Sequence, residues 1–173
     1  MKNIVGIVFV LAALVLPGLI RAGNSDVEIH CTAKKLAETR NPGSGEGGVS
    51  KTKENWTYDV TIENKTFQNM ANVEIKYVIF FNQEKLGKKE AAQLQRHAGS
   101  MTLPSFGAHE KKTFTTEAVE LKKANLVGHY HYTSGARPNA QDTLTGLWVR
   151  VYVNGQQFAE YANPSTLMKE RWE

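Results

Sequence analysis

Thr143 to Ala162 reads TLTGLWVRVYVNGQQFAEYA, and the fold follows from this stretch. Leu147, Val149, Val151 and Val153 recur at every second residue, the period of a strand with one buried face. Asn154-Gly155 then supplies two residues that tolerate φ > 0, as both centres of a type I′ turn require. Gln156 to Tyr161 returns as the second strand of a hairpin. Asn163-Pro164-Ser165 stops the sheet, and Ser165 offers a cap for a short helix over Thr166 to Trp172.

The same period governs the chain upstream. In Asn55 to Glu63, Trp56, Tyr58, Val60 and Ile62 face one way while Thr57, Asp59, Thr61 and Glu63 face the other. Val73 to Phe81 buries Val73, Ile75, Tyr77, Ile79 and Phe81, but Val78 and Phe80 make its second face apolar at one end. Asp26 to Leu36 reads as the first strand, and Asn41 to Lys53 (NPGSGEGGVSKTK) as a flexible loop. Glu84 to Phe106 fits an edge strand or a short helix equally well. Lys111 to Leu121 reads as a strand with a bulge, because its apolar phase shifts between Phe114 and Val119. Asn125 to Gln141 reads as a long loop of the kind that often carries function. With turn signals between the strands and no βαβ spacing, the fold class is all-β, an immunoglobulin- or fibronectin type III-like antiparallel sandwich with a short C-terminal helix.

The N-terminus has the layout of a secretory signal peptide: Lys2, the apolar run Ile4 to Ile20, a Pro17-Gly18 break, and small residues after Arg21. Residues 1–22 are therefore a signal segment, or an uncleaved anchor, and residues 23–173 one domain. The expected location is exported: periplasmic, outer-membrane-associated or cell surface. Any membrane contact would run through that segment alone. Losing Lys2 and Arg21 leaves 19 basic against 17 acidic residues, so the charge of +4 falls to +2 and gives no case for nucleic acid. The single cysteine, Cys31, allows no internal disulfide and reads as a small hydrophobe of the first strand.

Motifs for chemistry are weak. Gly43 to Gly48 satisfies G-x-G-x-x-G, but a strand follows where a dinucleotide site needs a helix. Ser50-Lys51-Thr52-Lys53 matches S-x-x-K in a polar loop, where the lysine stays protonated. His129 and His131 share a side of an extended segment and, with Asp142, form the one candidate metal set. Asn55-Trp56-Thr57 and Asn64-Lys65-Thr66 are glycosylation sequons. No catalytic residues and no cofactor are implied. The candidate binding patch is Phe80, Trp148, Arg150 and Tyr152, residue types enriched at interface hot spots. It is exposed if its two strands are neighbours, unless Leu167, Met168 and Trp172 of the C-terminal helix cover it.

Two resemblances add to this. Trp148 to Gln157 (WVRVYVNGQQ) looks like the last hairpin of a fibronectin type III module. The leader, Trp56 to Ile62, Asn72 to Tyr77 and Asp142 to Tyr152 resemble small exported immunoglobulin-like proteins of the Verrucomicrobia (Akkermansia-type). One of these is associated with a type IV pilus-like gene cluster and has a fold similar to archaeal pilins. That resemblance implies a cell-surface, adhesion or assembly role without catalysis. The chain departs from a conventional prepilin in having no acid between Met1 and Gly23. The function expected is a non-enzymatic exported module that binds a protein partner or itself. The alternative is a metal- or carbohydrate-binding accessory domain that meets a glycan through the 125–142 loop.

Overall fold

The computed structural model describes residues 26–45, 47–128 and 132–172, so the expected signal segment, residues 1–22, lies outside the described residues. Strands β1 (Val27–Asn41), β2 (Val49–Asn64), β3 (Met70–Gln83), β4 (Gln93–Phe106), β5 (Lys111–Thr115), β6 (Val119–Leu126), β7 (Asn139–Gln141), β8 (Thr143–Val153) and β9 (Gln156–Asn163) precede a 3₁₀ turn, Ser165–Lys169. They form two antiparallel sheets. One runs β1-β2-β6-β7, with β5 also paired to β2, and the other runs β4-β3-β8-β9. Among the described residues no helix is long and apolar enough to cross a membrane.

The two sheets face each other as a β-sandwich, and the period-two residues make its core. Val60 and Ile62 of β2, Ile75 and Ile79 of β3, and Val149 and Val151 of β8 are all completely buried. Each such side chain contributes about 1.5–3 kcal/mol of transfer free energy. The β8–β9 turn has Asn154 at φ 50° and Gly155 at φ 78°, the type I′ geometry that its two residues permit.

Three segments differ from their sequence reading, and a fourth settles on one of its two alternatives. Val49 to Lys53 belong to β2 rather than to a loop, and β1 extends to Asn41, because these residues pair in register: Asn41 with Lys51 on one side of β2, Val49 with Leu126 on the other. Backbone partners on both sides override a polar composition with no apolar pattern. Residues 93–106 resolve to the edge strand β4, which tolerates Pro104 near its end. The bulged strand of residues 111–121 is two strands on the same edge of β2. Between them Thr116 turns inward, where its Oγ1 accepts the Tyr58 amide at 2.9 Å and meets Thr57 Oγ1 at 3.0 Å. The C-terminal helix shortens to one 3₁₀ turn, Ser165–Lys169, whose N-cap position is taken by Pro164 rather than Ser165.

Candidate functional site

The predicted patch is built from two neighbouring strands, but its centre is covered. Val78 pairs with Trp148 and Phe80 with Gly146 across β3 and β8, on the outer face of their sheet. The C-terminal segment crosses that face as a strap. Leu167 is buried against Val78, Phe80, Trp148 and Ala162, and Trp172 packs edge-on to Trp148 with ring centroids 4.9 Å apart. Phe80 is 0% and Trp148 3% exposed, so neither is free for a partner. Large apolar residues on a solvent-facing sheet gain more by drawing the chain end over them than by staying wet. Met168, expected in that cover, points outward at 42% exposure.

Arg150 completes the strap. Its guanidinium lies 4.5 Å from the Trp148 ring and 4.2 Å from the Trp172 ring, and its Nε donates to Glu160 Oε1 at 2.7 Å. Trp148 Nε1 donates to the same oxygen at 2.9 Å. Arg96 binds Glu170 of the strap at 3.3 Å. Tyr152 stands beyond the strap, with Lys76 Nζ 5.3 Å from its ring centroid. The four patch residues thus divide into two that are buried, one that clamps the strap, and one at its margin.

A different region gathers unmatched chemistry. Strands β1, β3 and β6 all finish at one end of the sandwich, and the described residues of the connections that follow them meet there. They are tied to one another. Val127 N–H donates to the Gly48 carbonyl at 2.9 Å, and Arg137 lies 3.6 Å from Glu84. Gly87, at φ +73°, takes a left-handed conformation directly against Tyr132, where a Cβ would lie 3.1 Å from the ring. Asp142 is the lock beneath these loops. It is 6% exposed, and its two carboxylate oxygens accept the amides of Glu84 at 3.0 Å and Lys122 at 2.9 Å.

At this end lies a cleft of about 360 Å³ lined by Lys51 and Lys53 of β2, Lys122, Lys123 and Ala124 of β6, Ala140 of β7, and Glu84 and Leu86 of the connection after β3. Ala124 pairs with Ala140, so two small side chains adjoin where longer ones would fill the space. Lys53 and Lys122 are direct cross-strand partners, an arrangement of like charges that costs stability. Glu120 sits between them, 3.1 Å from Lys53 and 3.5 Å from Lys122, and Lys53 holds that carboxyl below the ordinary range. Lys51 and Lys123 have no carboxylate within 4.0 Å among the described residues. The sequence reading missed this site because it assigned Lys51 and Lys53 to a loop. The usable signal was the pairing of Lys51-x-Lys53 with the doublet Lys122-Lys123 on strands.

His129 and His131 lie outside the described residues. Asp142, their proposed third ligand, accepts two backbone amides, one on each carboxylate oxygen. Among the described residues no group of three His, Cys, Asp or Glu side chains is arranged to hold a metal. The Asn64 sequon is closed to modification. Asn64 is 0% exposed, and its Nδ2 donates to the Gln68 and Gly107 carbonyls, each at 2.8 Å. Cys31 is half-buried against the core, and burial pushes its thiol up to about 12.

No family model matches the chain, and no curated protein matches it. Solved structures similar in fold include Northeast Structural Genomics Consortium target SoR45, with TM-score 0.41 and 9% identity over 79% of this chain and 85% of that one. Another is a protein from Akkermansia muciniphila, with TM-score 0.29 and 10% identity over 82% of this chain and 73% of that one. Both superpositions are loose, and neither assigns a ligand or an activity.

Proposed function

We propose that the protein is an exported, non-enzymatic binding module that presents ligand-recognition loops at one end of an immunoglobulin- or fibronectin type III-like sandwich. Strand order supports that finer fold reading. With β1, β2, β3 and β4 taken as A, B, C and C′, the split strand β5/β6 as E, and β8 and β9 as F and G, sheet A-B-E faces sheet C′-C-F-G. The observation that carries the functional reading is the lysine-lined cleft at the end of the sandwich where β1, β3 and β6 finish, walled by strands β2, β6 and β7 and by Glu84 and Leu86 of the connection after β3. Loops held by a rigid scaffold are where such folds place recognition. Export rests on the apolar leader, and the cell-surface or pilus-linked role implied by the sequence resemblance would use the same loops.

The strap disfavours a protein interface centred on Phe80 and Trp148, since both are already covered from within the chain. The loop end instead favours the carbohydrate-type alternative, a small ligand held by the segment between Asn125 and Asp142 and its neighbours. An amide NMR titration of the full chain with neutral and acidic mono- and disaccharides tests this. Shifts clustered at the three loops and the cleft strands are expected. Shifts confined to the outer face of β3 and β8, or to the opposite end, would overturn it. Mass spectrometry of the N-terminus after cell fractionation tests export: a chain beginning at Gly23 outside the cytoplasm is expected, and an intact cytoplasmic chain refutes it.

A further inference from the structure

We propose that the cleft at the loop end takes a small polyanion, a ligand carrying two or more phosphate, sulfate or carboxylate groups a few ångströms apart. The inference rests on the loop-end binding reading and names the chemistry of its ligand. A cleft of about 360 Å³, within the range of small-ligand sites, has four lysines at its walls. By register Lys51, Lys53 and Lys122 share one face of the paired strands with Ala124 and Ala140, while Lys123 shares the other face with Thr52. Glu84 is the acid among the lining residues, and its charge is already engaged: Arg137 lies 3.6 Å away, and the Gln141 amide donates to it at 3.1 Å. Glu120 is shared between Lys53 and Lys122, so one carboxylate serves two ammonium groups. Lys51, on the same face as Lys53 and Lys122, has no carboxylate within 4.0 Å among the described residues.

This positive charge is local. Beyond the leader the chain carries 19 basic and 17 acidic residues, so Lys51, Lys53 and Lys122 on one face form a local excess of positive charge. At the opposite end the lysines are matched: Lys65 lies 2.7 Å from both Glu28 and Glu63, and Lys112 lies 3.1 Å from Glu110. Directly opposed lysines on a ladder are a standing cost that a bound anion removes. More than one anionic group is required, because separate ammonium groups on long flexible stems each hold a single charge weakly. Ala124 and Ala140 leave the room, and Leu86 gives one apolar wall for a carbon skeleton.

Calorimetric titration of the full chain with pyrophosphate, citrate and a disulfated disaccharide separates the three anion sources, with an uncharged disaccharide as the control. At least one anion is expected to bind, with affinity falling about tenfold or more between about 20 and about 200 mM salt. Lys51→Ala/Lys122→Ala should weaken it by about tenfold or more, Lys51→Arg/Lys122→Arg should largely retain it, and Lys65→Ala/Lys112→Ala should leave it unchanged. The proposal fails if none of the three anions binds, or if binding ignores both salt and the double alanine variant. It fails equally if single-stranded DNA binds as tightly and is unaffected by that variant, since the attraction then belongs to the general surface. Binding of the uncharged disaccharide at the same loops without salt dependence overturns the polyanion but leaves the loop-end reading standing. Silence from every ligand, the uncharged one included, removes both.

Discussion

The two ends of this sandwich solve the same problem, how to turn a chain between strands, in opposite ways. At the end where β1 begins, the connections are short and polar groups are fully used. Asn64 alone ties Gln68, Gly107 and Thr66, Lys65 N–H donates to Asp26 O at 2.7 Å, and Asn154 N–H donates to Asn72 O at 3.3 Å. Its lysines face carboxylates. At the other end the connections are long, glycines adopt left-handed conformations, and lysines gather around a cleft. The difference teaches where each end's free energy is invested. One end closes the fold, and the other keeps charge and space available. A satisfied buried network rigidifies, whereas unmatched surface charge contributes little to stability and much to association.

The sharpest way to break that contrast is to attack the closed end. Phe106→Ala empties a completely buried site beside Asn64 and should cost about 3–5 kcal/mol, read as a lower midpoint in urea. Asn64→Ala leaves two carbonyls and an amide without their partner and should cost about 3 kcal/mol by the same measurement. If either variant melts like the parent, the closed end does not hold the fold. Asp142→Ala is the matching test at the loop end. It should cost about 2 kcal/mol and speed amide exchange at Glu84 and Lys122, because one carboxylate anchors both.

Acid should discriminate the ends more gently. The Gly107 amide, followed by Lys112, holds the Glu110 carboxyl below its usual 4.5. A depressed folded value means the contribution is fully present above about 4.5 and fades as pH falls through the folded value. Exchange at the Gly107 amide should therefore accelerate on acidification below that range, and a pH-independent rate would remove Glu110 from the turn. The smallest effect belongs to the cleft. Lys51→Ala and Lys123→Ala should each change stability by less than about 0.5 kcal/mol, since neither gives up a carboxylate partner. A large loss on either substitution would place those lysines with the closed end's matched charges.

How much of this was legible beforehand differs by element. The hairpin through Asn154-Gly155 and the inward faces of β2, β3 and β8 follow from period-two spacing alone, because a buried face repeats every second residue whatever lies across from it. The split of β5 from β6 shows as a shifted phase, but its cause, Thr116 turned inward to Thr57 and Tyr58, depends on residues far apart in the chain. Val49 to Lys53 carry no local strand signal, and their partners on β1 and β6 impose the conformation.

The outer face of β3 and β8 marks the same boundary. From spacing, Val78, Phe80 and Trp148 stand out as apolar residues on the wrong side of their strands, and Leu167 and Trp172 as residues able to cover them. Whether that cover forms depends on the chain end crossing the sheet to reach Arg96 and Arg150, a long-range event without periodicity. Local sequence thus determined which side chains seek burial, because that preference is a property of each residue and its phase. Tertiary structure alone decided which faces found a cover and which charges found a partner, because both depend on segments far apart in the chain being brought together.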